Sequence, residues 1–195
     1  MKLFLPVCLV FILSQLVFAE DLIPIDEGWV RIGTPRALSR ERPLRLCVWG
    51  FGRSQDVRLI YLKFDLGALP PNAQVGDLVL ASAQEKMNSG IYTLYGLPAA
   101  DWDSSSLTGQ GAPGWDVSTQ SFTKDTRVLA EATVSKSSGD QELCLPLNSE
   151  FESFLKENRG RPVTFILAKK GDGNTMIPTL SDPERGPRLR WSAAK

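Results

Sequence analysis

From Arg58 to Leu80 the chain reads R-L-I-Y-L-K-F-D-L-G-A-L-P-P-N-A-Q-V-G-D-L-V-L, and this stretch limits what the rest can fold into. Leu59 to Phe64 is dense in β-branched, aromatic and aliphatic residues, which predicts a buried central strand. Gly67, Pro70, Pro71 and Asn72 then break the run in a tight corner. A second apolar run, Leu78 to Ala81, follows at once. Similar runs recur at Trp29–Ile32, Gly90–Gly96, Thr126–Val134, Gln141–Leu147, Pro162–Lys169 and Arg188–Ser192. Short strands at this spacing, with turn signals between them, predict an all-β fold: a jelly-roll-like antiparallel β-sandwich rather than βαβ units.

One helix interrupts the strands. Ser149-Glu150-Phe151-Glu152 has the form of a capping box. Phe151, Phe154 and Leu155 then share one helical face, and Gly160 is placed to end the helix in a left-handed conformation. The helix is expected to plug one open end of the sandwich. Lys170-Gly171-Asp172-Gly173 reads as a hairpin turn rather than a phosphate-binding loop. Pro98 to Asp125, with Trp102 and Trp115 embedded in it, is long enough that it must either bind something or pack on itself.

The first nineteen residues belong to targeting. Lys2 is followed by an apolar core from Leu3 to Val17 and a small-residue cleavage signal at Val17-Phe18-Ala19. That core is shorter than the ~20 residues a spanning helix needs, so residues 1–19 read as a signal peptide, leaving no membrane span after cleavage. The mature chain, residues 20–195, suits one domain in a secreted, extracellular or periplasmic protein. Without Lys2 it carries 21 basic and 22 acidic residues, which argues against nucleic acid as a partner. Oligomeric state is not encoded in any visible pattern. In an oxidising compartment the two remaining cysteines, Cys47 and Cys144, are candidates for a disulfide bond. Alternation puts each on the non-core face of its strand, so a bridge requires those strands to be close neighbours in one sheet.

Catalytic chemistry finds few footholds. The chain has no histidine, which excludes Ser-His and Cys-His nucleophile pairs and His-ligated zinc. Most acidic residues (Asp65, Asp101, Asp103, Asp116, Asp172, Asp182) fall where Asp is expected for turn chemistry alone. No cofactor is required. Asp101, Asp103 and Asp116 with Ser104–Ser106 offer oxygen ligands for a structural calcium, though without the twelve-residue spacing of a dedicated calcium loop.

The non-core strand faces are where recognition is expected. Alternation puts Arg31 beside Trp29, Arg45 beside Trp49 and Lys63 beside Tyr61, and turns Arg188 and Arg190 away from Leu189 and Trp191. Guanidinium groups bind carboxylates in bidentate fashion, and aromatic rings stack on sugars. Arg45, Trp49, Tyr61, Lys63 and Trp115 are therefore the candidate ligand-binding residues. The same side chains also fit a solvated exterior that keeps the sheet soluble.

Tyr61-Leu62-Lys63-Phe64-Asp65-Leu66, with Leu69-Pro70 and Leu78-Val79-Leu80, resembles the signature of the DNRLRE domains, also classed as carbohydrate-binding module family 96. Trp102 followed by Leu107-Thr108 and Ala112-Pro113, the helix before Phe165-Ile166-Leu167, and Gly186-Pro187-Arg188-Leu189 match later pieces in order. Gly109 and Gly111 stand where the family carries an aromatic residue and an asparagine. The resemblance implies a non-catalytic carbohydrate-binding β-sandwich whose partner is an acidic polysaccharide of the alginate type. Two alternatives stand beside it: a structural or adhesive cell-envelope domain recognising protein or itself, and a small polysaccharide lyase using Tyr61 or Tyr92 as base.

Overall fold

The computed structural model describes residues 20–35, 37, 45–48, 57–81, 88–98, 101–135, 142–171, 173, 175–180, 182 and 184–193. Thirteen strands lie in them: β1 (Glu20–Leu22), β2 (Asp26–Arg31), β3 (Arg45–Val48), β4 (Arg58–Asp65), β5 (Ala73–Ala81), β6 (Gly90–Pro98), β7 (Trp115–Asp116), β8 (Ser121–Phe122), β9 (Arg127–Val134), β10 (Glu142–Pro146), β11 (Pro162–Lys170), β12 (Thr175–Pro178) and β13 (Arg188–Ala193). One helix, α1 (Ser149–Glu157), joins β10 to β11.

A five-stranded sheet in the order β2-β4-β11-β6-β9 faces a four-stranded sheet in the order β1-β13-β5-β10, and every strand pairing is antiparallel. Two-stranded pairs β12-β3 and β7-β8 complete the described strands. The core between the layers is what the alternation calls for. Ile60, Leu62 and Phe64 of β4 and Val163, Phe165 and Leu167 of β11 supply one side. Leu78 and Leu80 of β5, Leu143 and Leu145 of β10 and Leu189 of β13 supply the other. The architecture is an antiparallel β-sandwich of jelly-roll type.

Phe151 and Phe154 of α1 are fully buried, with ring centroids 5.4 and 6.0 Å from that of Phe165. The helix starts one residue earlier than the capping-box pattern implies. Asn148 is the N-cap, its side-chain oxygen accepting from the Phe151 N–H at 2.9 Å. Asn is at least as good a cap as Ser, so the earlier residue takes the position and Ser149 becomes the first helical residue. Gly160 beyond the helix has φ +83°, the left-handed conformation expected of it.

Two expectations need correction. The Gly171–Gly173 turn does not form a hairpin, because β11 pairs with β4 and β6 whereas β12 pairs with β3. The proposed Cys47–Cys144 disulfide is also not formed. Cys144 is an exposed free thiol on β10 of the four-stranded sheet, and the Cys47 backbone lies in the separate β12-β3 pair. Alternation identified a face for each cysteine but carried no information about which strands become neighbours.

Candidate functional site

The outer face of the five-stranded sheet, where ligand contact was expected, is covered by the chain's own loop. Trp102, Leu107, Ala112 and Trp115 fold over it and form a second buried cluster with Tyr61 and Ile166 of the central strands. This is why β4 and β11 are buried on both faces, as near-continuous apolar strands usually are. Tyr61 is fully buried; its hydroxyl donates to the Pro113 carbonyl at 3.0 Å, and its ring meets Trp102 edge-on at 5.9 Å. Trp102 Nε1 donates to Thr164 Oγ1 at 2.9 Å. Trp115 is 6% exposed and packs edge-on against Phe122 at 5.0 Å, and Phe122 stacks on Tyr95 at 3.8 Å.

Lys63, half-buried, extends over the Trp102 ring, with Nζ 4.7 Å from the ring centroid and donating to the Trp102 carbonyl. The structure thus brings Tyr61, Lys63 and Trp115 to one side of one sheet, as core and as a clamp on the loop rather than as a ligand platform. Of the other candidates, Trp49 lies outside the described residues and only the backbone of Arg45 is described. Trp29 is likewise turned into the inter-sheet core, apart from the exposed Arg31. Arg188 on the outer face of the four-stranded sheet pairs with the chain's own carboxylates, Asp21 at 3.4 Å and Glu142.

Gly109 shows how tightly the loop is docked. A Cβ there would stand 1.8 Å from the Arg31 carbonyl oxygen, and the Gly33 N–H donates to the Gly109 carbonyl at 3.1 Å. A side chain at this position, aromatic or not, would push the loop off β2.

The loop carboxylates serve turns. The Ser105 hydroxyl and N–H and the Ser106 N–H all donate to Asp103 Oδ1, holding its carboxyl below the usual range. Ser118 does the same for Asp116 through its hydroxyl at 2.6 Å and its N–H at 2.8 Å. Oxygens engaged this way are turn caps, and among the described residues no three acidic or cysteine side chains converge as a metal site would require. Burial pushes the Tyr61 phenol far above its ordinary value, and pushes Tyr92 up to about 12. Neither phenol is poised to take a proton near neutral pH.

One carboxylate is perturbed toward neutrality. Burial raises Glu27 to about 7, opposed by the Leu180 N–H donating to its Oε1 at 2.8 Å and reinforced by Asp26. Among the described residues its Oε2 finds no hydrogen-bond partner, nor does Nε1 of Trp29 two residues along β2.

A concave surface of about 580 Å³ lies beside α1. Leu66, Leu69, Val75, Leu147 and Leu155 form its floor, with the exposed Glu152, Lys156 and Arg159 at its rim. Its shape follows from Pro146. A proline cannot donate to a sheet ladder, and β10 ends there opposite Asp77; the Leu147 N–H adds one last hydrogen bond to the Gly76 carbonyl at 3.3 Å before the chain turns through Asn148 into the helix.

No family model and no curated protein matches this chain.

The groove was not anticipated from sequence, although its ingredients were present. Leu155 lies on the apolar face read for the helix, and Leu69 stands in the proline-rich corner. Their joint exposure along one depression depends on where β10 ends, which only the three-dimensional pairing reveals. Among the described residues no helix is long and apolar enough to cross a membrane.

Proposed function

We propose that this chain is an exported, non-catalytic β-sandwich module that recognises another polypeptide in the cell envelope. The observation that carries this reading is the burial of Tyr61, Trp102 and Trp115 beneath the loop of residues 101–126. Sugar recognition on a strand face needs aromatic rings open to solvent, and these rings serve as core. Among the described residues the exposed large apolar side chains are Ile23, Ile25, Ile91, Val117 and Val128, none of them aromatic. Such aliphatic side chains suit contact with protein better than stacking on a pyranose ring.

Export is supported by Lys2, the apolar run to Val17 and the Val17-Phe18-Ala19 signal. The absence of histidine and the elevated pKa of both Tyr61 and Tyr92 weigh against the lyase alternative. The resemblance to DNRLRE domains supplies the second reading, an acidic polysaccharide held by Arg45, Trp49 and Lys63. Affinity electrophoresis against alginate, pectin and neutral glucans separates the two. Unretarded migration on all three is expected. Retardation on alginate that is relieved by salt would overturn the polypeptide reading in favour of the glycan.

A further inference from the structure

We infer that the groove beside α1 takes an extended peptide segment that adds to the open edge of β5, seating an apolar side chain on the leucine floor and a carboxylate at the basic rim. The inference rests on the polypeptide reading above and names the surface that would carry it.

Three observations converge on this occupant. First, β5 is paired on both sides only from Asp77 to Val79, and on the β10 side the Gly76 carbonyl accepts one further hydrogen bond, from the Leu147 N–H at 3.3 Å. From Ala73 to Val75 it keeps β13 on one side, and no described strand lies on the other. An unpaired edge presents backbone donors and acceptors at strand spacing, ready to accept another strand. Second, this edge runs along the groove, since Ala73, Gln74 and Val75 are among its lining residues. A strand laid beside β5 would sit about 4.8 Å from it, with α1 as the opposite wall. Alternate side chains of that strand would point down onto Leu69, Leu147 and Leu155, the half-buried part of the floor. Third, the wall formed by α1 and the residues just beyond it presents Lys156 and Arg159 against a single Glu152. The Arg159 guanidinium donates to the Pro70 carbonyl, which anchors it at the mouth. This excess of positive charge favours a ligand with an acidic residue.

The test selects peptides from a displayed random dodecapeptide library on the full chain. The best binder is then measured by fluorescence polarisation on wild type, Leu155→Glu and the double variant Lys156→Glu/Arg159→Glu. Enriched peptides are expected to pair an apolar residue with an acidic one at strand alternation. Leu155→Glu should weaken binding at least about thirtyfold, as for a central anchor. The charge reversal should weaken it about five- to tenfold at low salt and less at high salt. Positions 156 and 159 are exposed, so the double variant remains informative if melting shows that Leu155→Glu has lost its fold. Failure to enrich any peptide, or binders indifferent to both sets of changes, would overturn the inference. So would saturable palmitate binding without peptide enrichment, because the floor would then serve an acyl chain. The polypeptide reading fails separately, through retardation on alginate. Unretarded migration with no enriched peptide removes the groove and leaves that reading standing.

Discussion

At the scale of single residues, Glu27 is the side chain whose environment makes the sharpest prediction. Its carboxyl has an ordinary value of 4.5 and is raised to about 7 in the fold, chiefly by burial. The folded protein therefore holds this proton over a range where the unfolded chain has released it. The associated stability is fully present below about 4.5 and is lost as pH rises through about 7. Glu27→Gln keeps an oxygen for the Leu180 N–H and removes the titration. Its melting temperature should exceed that of wild type at pH 8, with the difference shrinking toward pH 5. A difference independent of pH between 5 and 8 would show that Glu27 is not the titrating group. Gly109→Ala tests a contact rather than a charge. With no room between the loop and the Arg31 carbonyl, the substitution should cost about 2 kcal/mol or more, lowering Tm by at least about 4 °C in a chain of this size. It should also raise binding of a hydrophobic dye as the second cluster opens. An unchanged melt would mean the loop is not seated on β2.

At the scale of elements, α1 separates two accounts of how a helix begins. Asn148→Ala should destabilise by about 0.5–2 kcal/mol in urea unfolding, whereas Ser149→Ala should change little. The reverse ranking would restore the Ser149 capping box. Much of the element pattern was legible beforehand for a physical reason. Strands such as β4, β9 and β11 are long enough for period-two alternation or an apolar run to stand out, and Phe151, Phe154 and Leu155 fix the buried face of the helix. What escaped notice lacks that signal. β7 and β8 have two residues each and β1 has three, too few to show any period. The Gly171–Gly173 turn has hairpin chemistry, yet partner choice for β12 is a long-range matter that local turn residues do not decide. The burial of Tyr61 and Trp115 was hidden for a related reason. Alternation divides a strand into two faces without saying what lies on the second, and a lysine at position 63 made that face look solvated. In the fold, Lys63 reaches across to Trp102 instead.

At the scale of the whole molecule, the distinguishing feature is two apolar clusters on opposite faces of one sheet. The inter-sheet core alone makes a sandwich. The second cluster makes the long loop a structural layer over that sheet. The sandwich itself was foreseeable from strand spacing. The second layer was legible only as one of two outcomes for the long loop, binding something or packing on itself, because Trp102 and Trp115 sit among Ser, Gly and Asp residues whose composition reads as solvent-exposed loop. Here those polar residues make the turns that let the two tryptophans reach the sheet, as Asp103 and Asp116 show. The measurement that bears most directly on this account is hydroxyl-radical footprinting of the native protein, read by mass spectrometry at Tyr61, Trp102 and Trp115. All three should be protected in the folded chain and become reactive together on unfolding. Oxidation of Tyr61 and Trp115 in the native state, at rates approaching those of the unfolded chain, would contradict the second core and return the outer face of the five-stranded sheet to solvent and to ligand.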